Sequence, residues 1–144
     1  MNAIATIGYE SDTQGAVIQR LKDADVKVLI DVRAIASSRR AGFSKSLLAA
    51  SLAEAGIEYV HLRDLGTPKA GRDAARAGRI GEMREIFADH MQEPPSQLAF
   101  ERLREIATDR PTALLCFEAD HAGCHRSVLA ERLQAEDGFE VVNL

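Results

Sequence analysis

The fold is decided by the stretch Ala113-Leu114-Leu115-Cys116-Phe117, which leads through the polar loop Glu118-Ala119-Asp120-His121-Ala122-Gly123-Cys124 into an amphipathic helix from His125 to Leu133. Both cysteines of the chain and two of its four histidines fall in this strand–loop–helix unit. A helix N-terminus has unpaired N–H groups and a partial positive charge, so it attracts anions and lowers the pKa of a thiol. The pattern therefore indicates a site around Cys124, His125 and Arg126.

The same alternation of apolar runs and helical stripes extends over the whole chain. Strands are predicted at 3–7, 28–32, 57–62, 112–117 and 139–144, with helices in the connections. Connections of this length allow the right-handed crossovers that join parallel strands. We therefore expect one α/β domain over residues 1–144, a three-layer sandwich with a mostly parallel sheet of about five strands.

Some finer features of the helices are also predicted. Ser44 is expected to cap a helix that carries Leu47 inward, and Ser96 to cap a helix that carries Leu98 inward. Residues 63–81 contain four glycines and a proline, and they are predicted to be the least regular part of the chain.

Polar side chains follow several of the predicted strands at the point where each strand ends. In parallel α/β sheets ligands bind in the crevice at the carboxyl ends of the strands, so these side chains are expected to converge beside the helix of Cys124. The predicted catalytic residues are Cys124, Glu118 and His125, with Cys124 expected to be an activated thiol that meets solvent. The predicted substrate-binding residues are Tyr9, Arg33, Arg39, His61 and Arg126.

Each of these assignments has a structural alternative. Cys124 is equally well explained as a small residue packed at the start of a helix, and Cys116 as an inert thiol in a covered strand. Asp31 and Arg33 share one face of a strand, which fits an ion pair as well as a substrate contact. Asp120 either acts with Glu118 on a ligand or stabilises the loop by accepting backbone hydrogen bonds.

A metal site is also considered, because Cys116, His121, Cys124 and His125 all carry zinc-capable side chains. Their spacing is irregular, and the adjacent Cys124 and His125 do not easily aim at one ion. Cys116 is expected to point into the core, and no second ligand pair with ordinary zinc spacing exists. The sequence therefore favours a site without a metal, and no cofactor is predicted.

The net charge of −4 conceals a basic segment. Residues 33–84 contain ten Lys and Arg against five acidic residues, and such a segment attracts anionic partners unless neighbouring acids pair with it. We expect a small anionic or nucleotide-like ligand, with nucleic acid as an alternative partner for residues 33–45. The chain has no apolar run of bilayer length and no secretion signal, so a cytoplasmic location without a membrane partner is expected.

The chain also resembles a known family over nearly its full length. The resemblance rests on Thr6-Ile7-Gly8-Tyr9, Asp31-Val32-Arg33, Ser38-Arg39, Gly42-Phe43-Ser44-Lys45, Tyr59-Val60-His61-Leu62, Leu65-Gly66, Cys116-Phe117-Glu118 and Cys124-His125-Arg126. These pieces, in this order, look like the domain-of-unknown-function 488 family. The resemblance implies a single compact α/β domain with a site built from these positions, and it implies no established activity.

A weaker likeness is to the rhodanese-like sulfurtransferases. The stretch Leu29-Ile30-Asp31-Val32-Arg33 is similar to their strand ending in Asp-Val-Arg, and Arg126-Ser127 resembles the helix after their active-site loop. In those enzymes a nucleophilic cysteine ends a strand and an arginine closes the anion-binding loop. Nine residues separate Cys116 from Arg126 here, several more than such a loop contains.

The sequence therefore leads to two functional hypotheses. The first is an anion-binding crevice in which a cysteine or an acid/base pair assists a transfer reaction on a small anionic or nucleotide-like substrate. The second is a non-catalytic module that binds nucleic acid through residues 33–45.

Overall fold

A five-stranded sheet, all of whose strands are parallel, organises residues 2–144, the part of the chain described by a computed structural model. The strands lie in the order β3-β2-β4-β1-β5. Their bounds are β1 Ala3–Gly8, β2 Val28–Asp31, β3 Glu58–His61, β4 Thr112–Cys116 and β5 Glu140–Asn143.

Helices form the connections between the strands. They are α1 Gln14–Asp23, α2 Lys45–Glu54, α3 Lys69–Arg76, α4 Ile80–His90, α5 Pro94–Asp109 and α6 His125–Asp137, with 3₁₀ turns at Arg63–Leu65 and His121–Gly123. None of the helices in residues 2–144 has the length and apolar character that crossing a membrane requires.

Two hydrophobic cores cover the two faces of the sheet, as the three-layer prediction requires. On one face Ile30 and Leu114 belong to a buried cluster that includes Phe87 of α4, whereas the neighbouring Leu29 and Leu115 belong to the cluster of α1 and α2 on the other face. Adjacent residues of a strand point to opposite sides. The predicted fold class is confirmed.

The strand register brings the ends of three distant segments together. Gly8 pairs with Cys116, Asp31 pairs with Leu115, and Asp31 also pairs with His61. Because all strands run in one direction, the segments that follow β1, β2 and β4 emerge side by side at the carboxyl edge of the sheet. This edge carries the candidate site.

Three predictions about the helices are wrong. Leu47 is 60% exposed and Leu98 is 73% exposed, because Leu48 and Phe100 take the inward positions of their helices. Ser96 does not cap α5, which already begins at Pro94 with Glu93 as its cap. Proline fits the first turn of a helix, where its missing N–H has no partner to lose.

Residues 63–81 are more regular than predicted, since they contain a 3₁₀ turn, α3 and the start of α4. Helix α3 tolerates Gly71 because a side chain there would crowd the segment that precedes the helix: a Cβ would lie 2.5 Å from Thr67 Oγ1. Gly71 is therefore a packing residue and does not break the helix.

Candidate functional site

A cavity of about 350 Å³ opens at the carboxyl edge of the sheet. Cys116, at the end of β4, lines it together with Glu118 and with His125 from the first turn of α6. Four arginines from two separate segments also line it: Arg33, Arg39, Arg72 and Arg76. The cavity thus combines thiol, imidazole and carboxyl groups with an arginine-rich wall.

The loop after β4 passes directly over the end of β1, and this contact places Glu118. A Cβ at Gly8 would lie 1.8 Å from the Glu118 carbonyl oxygen, so only glycine permits the approach. The N–H of Tyr9 donates to the Phe117 carbonyl at 3.1 Å. Arg126 Nη1 donates to the Glu118 carbonyl at 2.5 Å, from a side chain that is 1% exposed. The loop is therefore held from both sides.

Two sulfur atoms and one ring nitrogen form a buried cluster beside the cavity. His125 Nδ1 lies 3.7 Å from Cys116 Sγ and 3.8 Å from Cys124 Sγ. His125 Nε2 lies 2.7 Å from the carbonyl oxygen of Val32. Because a carbonyl oxygen only accepts, Nε2 carries a proton, and Nδ1 is the atom that exchanges a proton with the thiols.

The two thiols differ in how readily they ionise. Burial opposes ionisation of Cys124, but a hydrogen bond from Cys116 and the positive charges of His125 and Arg126 hold the pKa of Cys124 well below its ordinary value. The hydrogen bond to Cys124, followed by burial, raises the pKa of Cys116 well above that value. The pair therefore shares one proton, with the negative charge favoured on Cys124.

Glu118 and His125 are also shifted. Burial, followed by the charge of Cys124, raises the pKa of Glu118 to about 7. Burial opposes the charged form of His125, but the thiolate of Cys124 and the hydrogen bonds to Cys124 and Val32 outweigh it and raise the pKa of the imidazole. Near neutral pH the Glu118 carboxyl is thus close to half-protonated, while the surroundings favour the negative charge on Cys124 and the positive charge on His125.

Arg33 is fixed by a buried ion pair. Its Nη2 donates to Asp31 Oδ2 at 2.7 Å, and its Nη1 donates to the Tyr9 hydroxyl at 3.0 Å and to the Phe43 carbonyl at 2.8 Å. Asp31 is fully buried, and Tyr59 also donates to it. The ion pair given as the alternative for Asp31 and Arg33 is present, and it fixes the Arg33 side chain rigidly in the wall of the crevice.

Other lining residues have unused hydrogen-bonding capacity. Thr67 is 3% exposed, and its Oγ1 is buried without a hydrogen-bond partner in residues 2–144. Over the same residues, Arg39 makes neither a hydrogen bond nor an ion pair with another side chain. Arg72 uses Nη1 to donate to the Thr67 carbonyl at 2.9 Å.

The structure brings together most of the predicted site residues. Tyr9, Arg33, Arg39, Glu118 and His125 line the cavity, whereas Cys124, His61 and Arg126 do not. His61 Nε2 instead contacts the Arg33 carbonyl at 2.8 Å, and Arg126 holds the loop. The expectation that Cys124 meets solvent is wrong, since the residue is 1% exposed and lies behind the cavity lining.

Sequence reasoning missed several residues that line the cavity. Cys116 was assigned to the core as an inert thiol, yet it is the sulfur that reaches the cavity, because β4 ends there. Thr67, Arg72 and Arg76 come from the segment predicted to be irregular. The sequence offered one signal for these cavity residues, because Arg72 and Arg76 are one helical turn apart and so lie on the same face of a helix.

Two remaining expectations concern the loop and the basic segment. Asp120 caps the 3₁₀ turn by accepting from the Ala122 N–H at 3.0 Å, which confirms its loop-stabilising alternative. In the basic segment, Arg40 Nη2 donates to the Asp12 carbonyl at 2.5 Å.

Comparison with known proteins identifies the family. The family model for the domain of unknown function DUF488 matches residues 13–133, which is most of the chain. The chain belongs to the DUF488 family. No curated protein and no solved structure matched this DUF488 chain. Nothing in these comparisons supports the weaker likeness to rhodanese-like sulfurtransferases.

Proposed function

We propose that this DUF488 protein is a thiol-dependent enzyme that binds a small anionic or nucleotide-like substrate in the crevice and transfers a group through its cysteines. The observation that carries the proposal is the position of Cys116 Sγ, which lies beside Glu118 and His125 in a cavity with four arginines on its walls. A cleft that combines a few polar groups with perturbed pKa values is a characteristic site of catalysis.

The anionic nature of the substrate follows from the charges around the cavity. Arg33 uses most of its donors on Asp31, Tyr9 and Phe43, and its charge is balanced by Asp31, so it leaves the binding of an anion to the other arginines. Arg39 and Arg72 retain free donors, and guanidinium groups bind planar oxyanions such as carboxylate and phosphate through paired hydrogen bonds. The buried hydroxyl of Thr67 adds another donor for such a group.

The roles in the reaction are assigned by access and by proton affinity. Cys116 is the nucleophile because its sulfur reaches the cavity, and Cys124 is the thiolate that accepts the Cys116 proton as the new bond to the substrate forms. His125 stabilises the negative charge of the pair through Nδ1. Glu118, with a pKa of about 7, protonates the leaving group.

The second half of the reaction restores the site. A water molecule or an acceptor attacks the group carried by Cys116 and gives its proton to the Glu118 carboxylate. The Cys116 thiolate leaves and regains its proton from Cys124. Each proton therefore returns to its starting atom, and no oxidant or reductant is needed.

The proposal is tested by trapping the intermediate on the metal-free protein. We would incubate it with a panel of small phosphoryl, sulfuryl and acyl anions and measure the intact mass and the released product. We expect a covalent adduct on Cys116 for at least one class, absent in Cys116→Ser and slow to form in Cys124→Ser. Absence of both adduct and product across the panel would contradict the proposed function.

A second measurement tests whether the anion lies next to the thiol. Sulfate should slow iodoacetamide labelling of Cys116, and Arg39→Ala and Arg72→Ala should each weaken this protection about tenfold, which corresponds to one lost charge-assisted hydrogen bond. Arg79→Ala is the matched control, because this exposed arginine of the same basic segment pairs with Glu82 outside the cavity. If sulfate protects Cys116 equally in the wild type, Arg39→Ala, Arg72→Ala and Arg79→Ala, the anion binds elsewhere.

A further inference from the structure

We propose that Cys116, Cys124 and His125 also form a binding site for one thiophilic divalent cation of the Zn²⁺ class, and that its occupancy switches the thiol site off. The binding itself stands on the geometry of the three side chains. Only its inhibitory consequence rests on the proposed function, since that function needs the sulfur of Cys116 to be free.

The spacing of the donor atoms fits tetrahedral coordination. Cys116 Sγ and Cys124 Sγ lie 3.7 Å and 3.8 Å from His125 Nδ1, and all three atoms lie within 4.8 Å of one another. With Zn–S of about 2.3 Å and Zn–N of about 2.0 Å, sulfur and nitrogen ligands at the tetrahedral angle are about 3.5 Å apart. The side chains therefore need only small adjustments to share one ion.

The orientation of His125 is already the one that a ligand requires. Its Nε2 donates to the Val32 carbonyl at 2.7 Å, which turns Nδ1 towards the two sulfurs, and the metal takes the place of the proton on this atom. Metal-binding histidines generally donate their other ring nitrogen to a carbonyl or carboxylate in this way. Phe87 packs against the edge of the same ring, with centroids 5.1 Å apart, and limits its rotation.

The cavity provides access and the fourth coordination position. Cys116 and His125 both line it, so an ion reaches the cluster without unfolding the protein. The carboxylate of Glu118 lies 3.5 Å from Cys116 Sγ on the same side, where a water molecule completes the coordination. Three protein ligands and one open position are typical of accessible zinc sites, whereas purely structural sites are closed by four protein ligands.

The sequence spacing had argued against a metal, and the fold removes the two objections. Cys116 does not point away from the cluster, because β4 ends at this residue beside the cavity. Cys124 is extended, with φ −129° and ψ 143°, and His125 begins α6, so the two adjacent side chains converge on one point. His121, the remaining candidate of that pattern, is exposed and lies outside the cluster.

Binding holds both sulfurs on the metal as thiolates and releases to solvent the proton that the two sulfurs share, together with any proton on His125 Nδ1. A single ion thereby engages Cys116 and Cys124 at once. The nucleophile and the thiolate that accepts its proton are both removed from the reaction, and the ion also occupies space at the base of the cavity. Metal binding and covalent transfer are therefore mutually exclusive states of the same cluster.

The test is a titration of the chelator-treated, full-length protein with Co²⁺, followed by displacement with Zn²⁺. We expect one equivalent to bind, with the visible spectrum of tetrahedral Co²⁺ and near-ultraviolet bands from thiolate ligands. Cys116→Ser, Cys124→Ser and His125→Gln should each weaken binding by more than about 100-fold, beyond the effect of losing a ligand's supporting hydrogen bond. His121→Ala is the matched control and should bind as tightly as the wild type.

Zn²⁺ should also protect both cysteines of the wild type from iodoacetamide, a readout that needs no variant to fold. X-ray absorption at the zinc edge should report two sulfur ligands and one imidazole. Sub-stoichiometric binding, coordination without sulfur, or loss of binding in His121→Ala would overturn the site. If Zn²⁺ binds as expected while no anion forms an adduct, the metal site stands and the proposed function fails; adduct formation without metal binding gives the reverse result.

Discussion

His125 donates through Nε2 to the carbonyl oxygen of Val32 at 2.7 Å, a contact between residues 93 positions apart in the chain. This hydrogen bond connects the end of β2 to the start of α6 and fixes the imidazole with Nδ1 towards the sulfurs of Cys116 and Cys124. The chemistry proposed for the cavity depends on this orientation, because a rotated ring would take Nδ1 away from both thiols.

Glu118 should make the stability of the protein depend on pH. Its pKa in the folded protein, about 7, exceeds its ordinary value of 4.5, so folding favours the protonated carboxyl. This contribution is fully present below about pH 4.5 and is lost as the pH rises through 7. Glu118→Gln, which stays neutral, should therefore be about 2 kcal/mol more stable than the wild type at pH 8 and equal to it at pH 4.

Urea unfolding at the two pH values measures this difference. Glu85→Gln is the control, because this exposed side chain of α4 lies outside the cavity. If the wild type is more stable than Glu118→Gln at pH 8, the folded protein favours the Glu118 carboxylate. That result would contradict the raised pKa of Glu118.

Gly8 should tolerate no side chain. Its Cβ would meet the backbone of Glu118 at 1.8 Å, and backbone atoms cannot rotate away as a flexible side chain does. We expect Gly8→Ala to cost about 1–3 kcal/mol and to change the rate at which Cys116 is alkylated, since the loop must move.

Gly15→Ala provides the comparison for Gly8→Ala. Gly15 lies in α1 with no atom within 4 Å of its added Cβ, so alanine should be neutral or stabilise the protein by up to about 1 kcal/mol. Equal stability of the two variants in urea titrations would mean that the loop does not pass over Gly8 as described.

The buried pair of Asp31 and Arg33 should be essential for folding. Asp31→Asn leaves the Arg33 guanidinium buried at 5% exposure without its counter-charge, which we expect to cost about 3–5 kcal/mol. Asp73→Asn removes one carboxylate from an exposed pair with Lys69 and should leave the stability nearly unchanged. The measurement is thermal unfolding of both variants. Similar losses of stability in Asp31→Asn and Asp73→Asn would contradict a structural role for Asp31.

The fold was predictable because its signals are local and repeated. The apolar runs of β2 and β4 are buried on both faces of the sheet. Each is followed by a turn or helix whose start is recognisable in the sequence. The position of the site followed from the direction of the strands alone. Tyr9, Arg33 and Glu118 line the cavity for this reason, since each comes just after the end of a strand.

What the sequence did not reveal depends on contacts between distant segments. Whether Cys116 or Cys124 reaches the cavity is set by where β4 ends and by how the loop passes over Gly8. The sequence did not reveal that α3 contributes residues to the cavity. Gly71 is typical of a helix break, and its role is clear only once its packing against Thr67 is known. Side-chain direction within a loop has no periodicity from which it could be derived.

The central claim is that Cys116 and Cys124 act as one unit, in which the two sulfurs share one proton and Cys124 raises the pKa of the sulfur that faces the cavity. The direct measurement is the pH profile of iodoacetamide labelling of metal-free protein, resolved for each cysteine by peptide mass. We expect Cys116 to be labelled first because its sulfur faces the cavity, with a profile above the unperturbed pKa of about 8.5, and we expect Cys124→Ser to move that profile to lower pH because Cys124 no longer raises the pKa of Cys116. Preferential labelling of Cys124, or a Cys116 profile near pH 8.5 that Cys124→Ser leaves unchanged, would contradict the account.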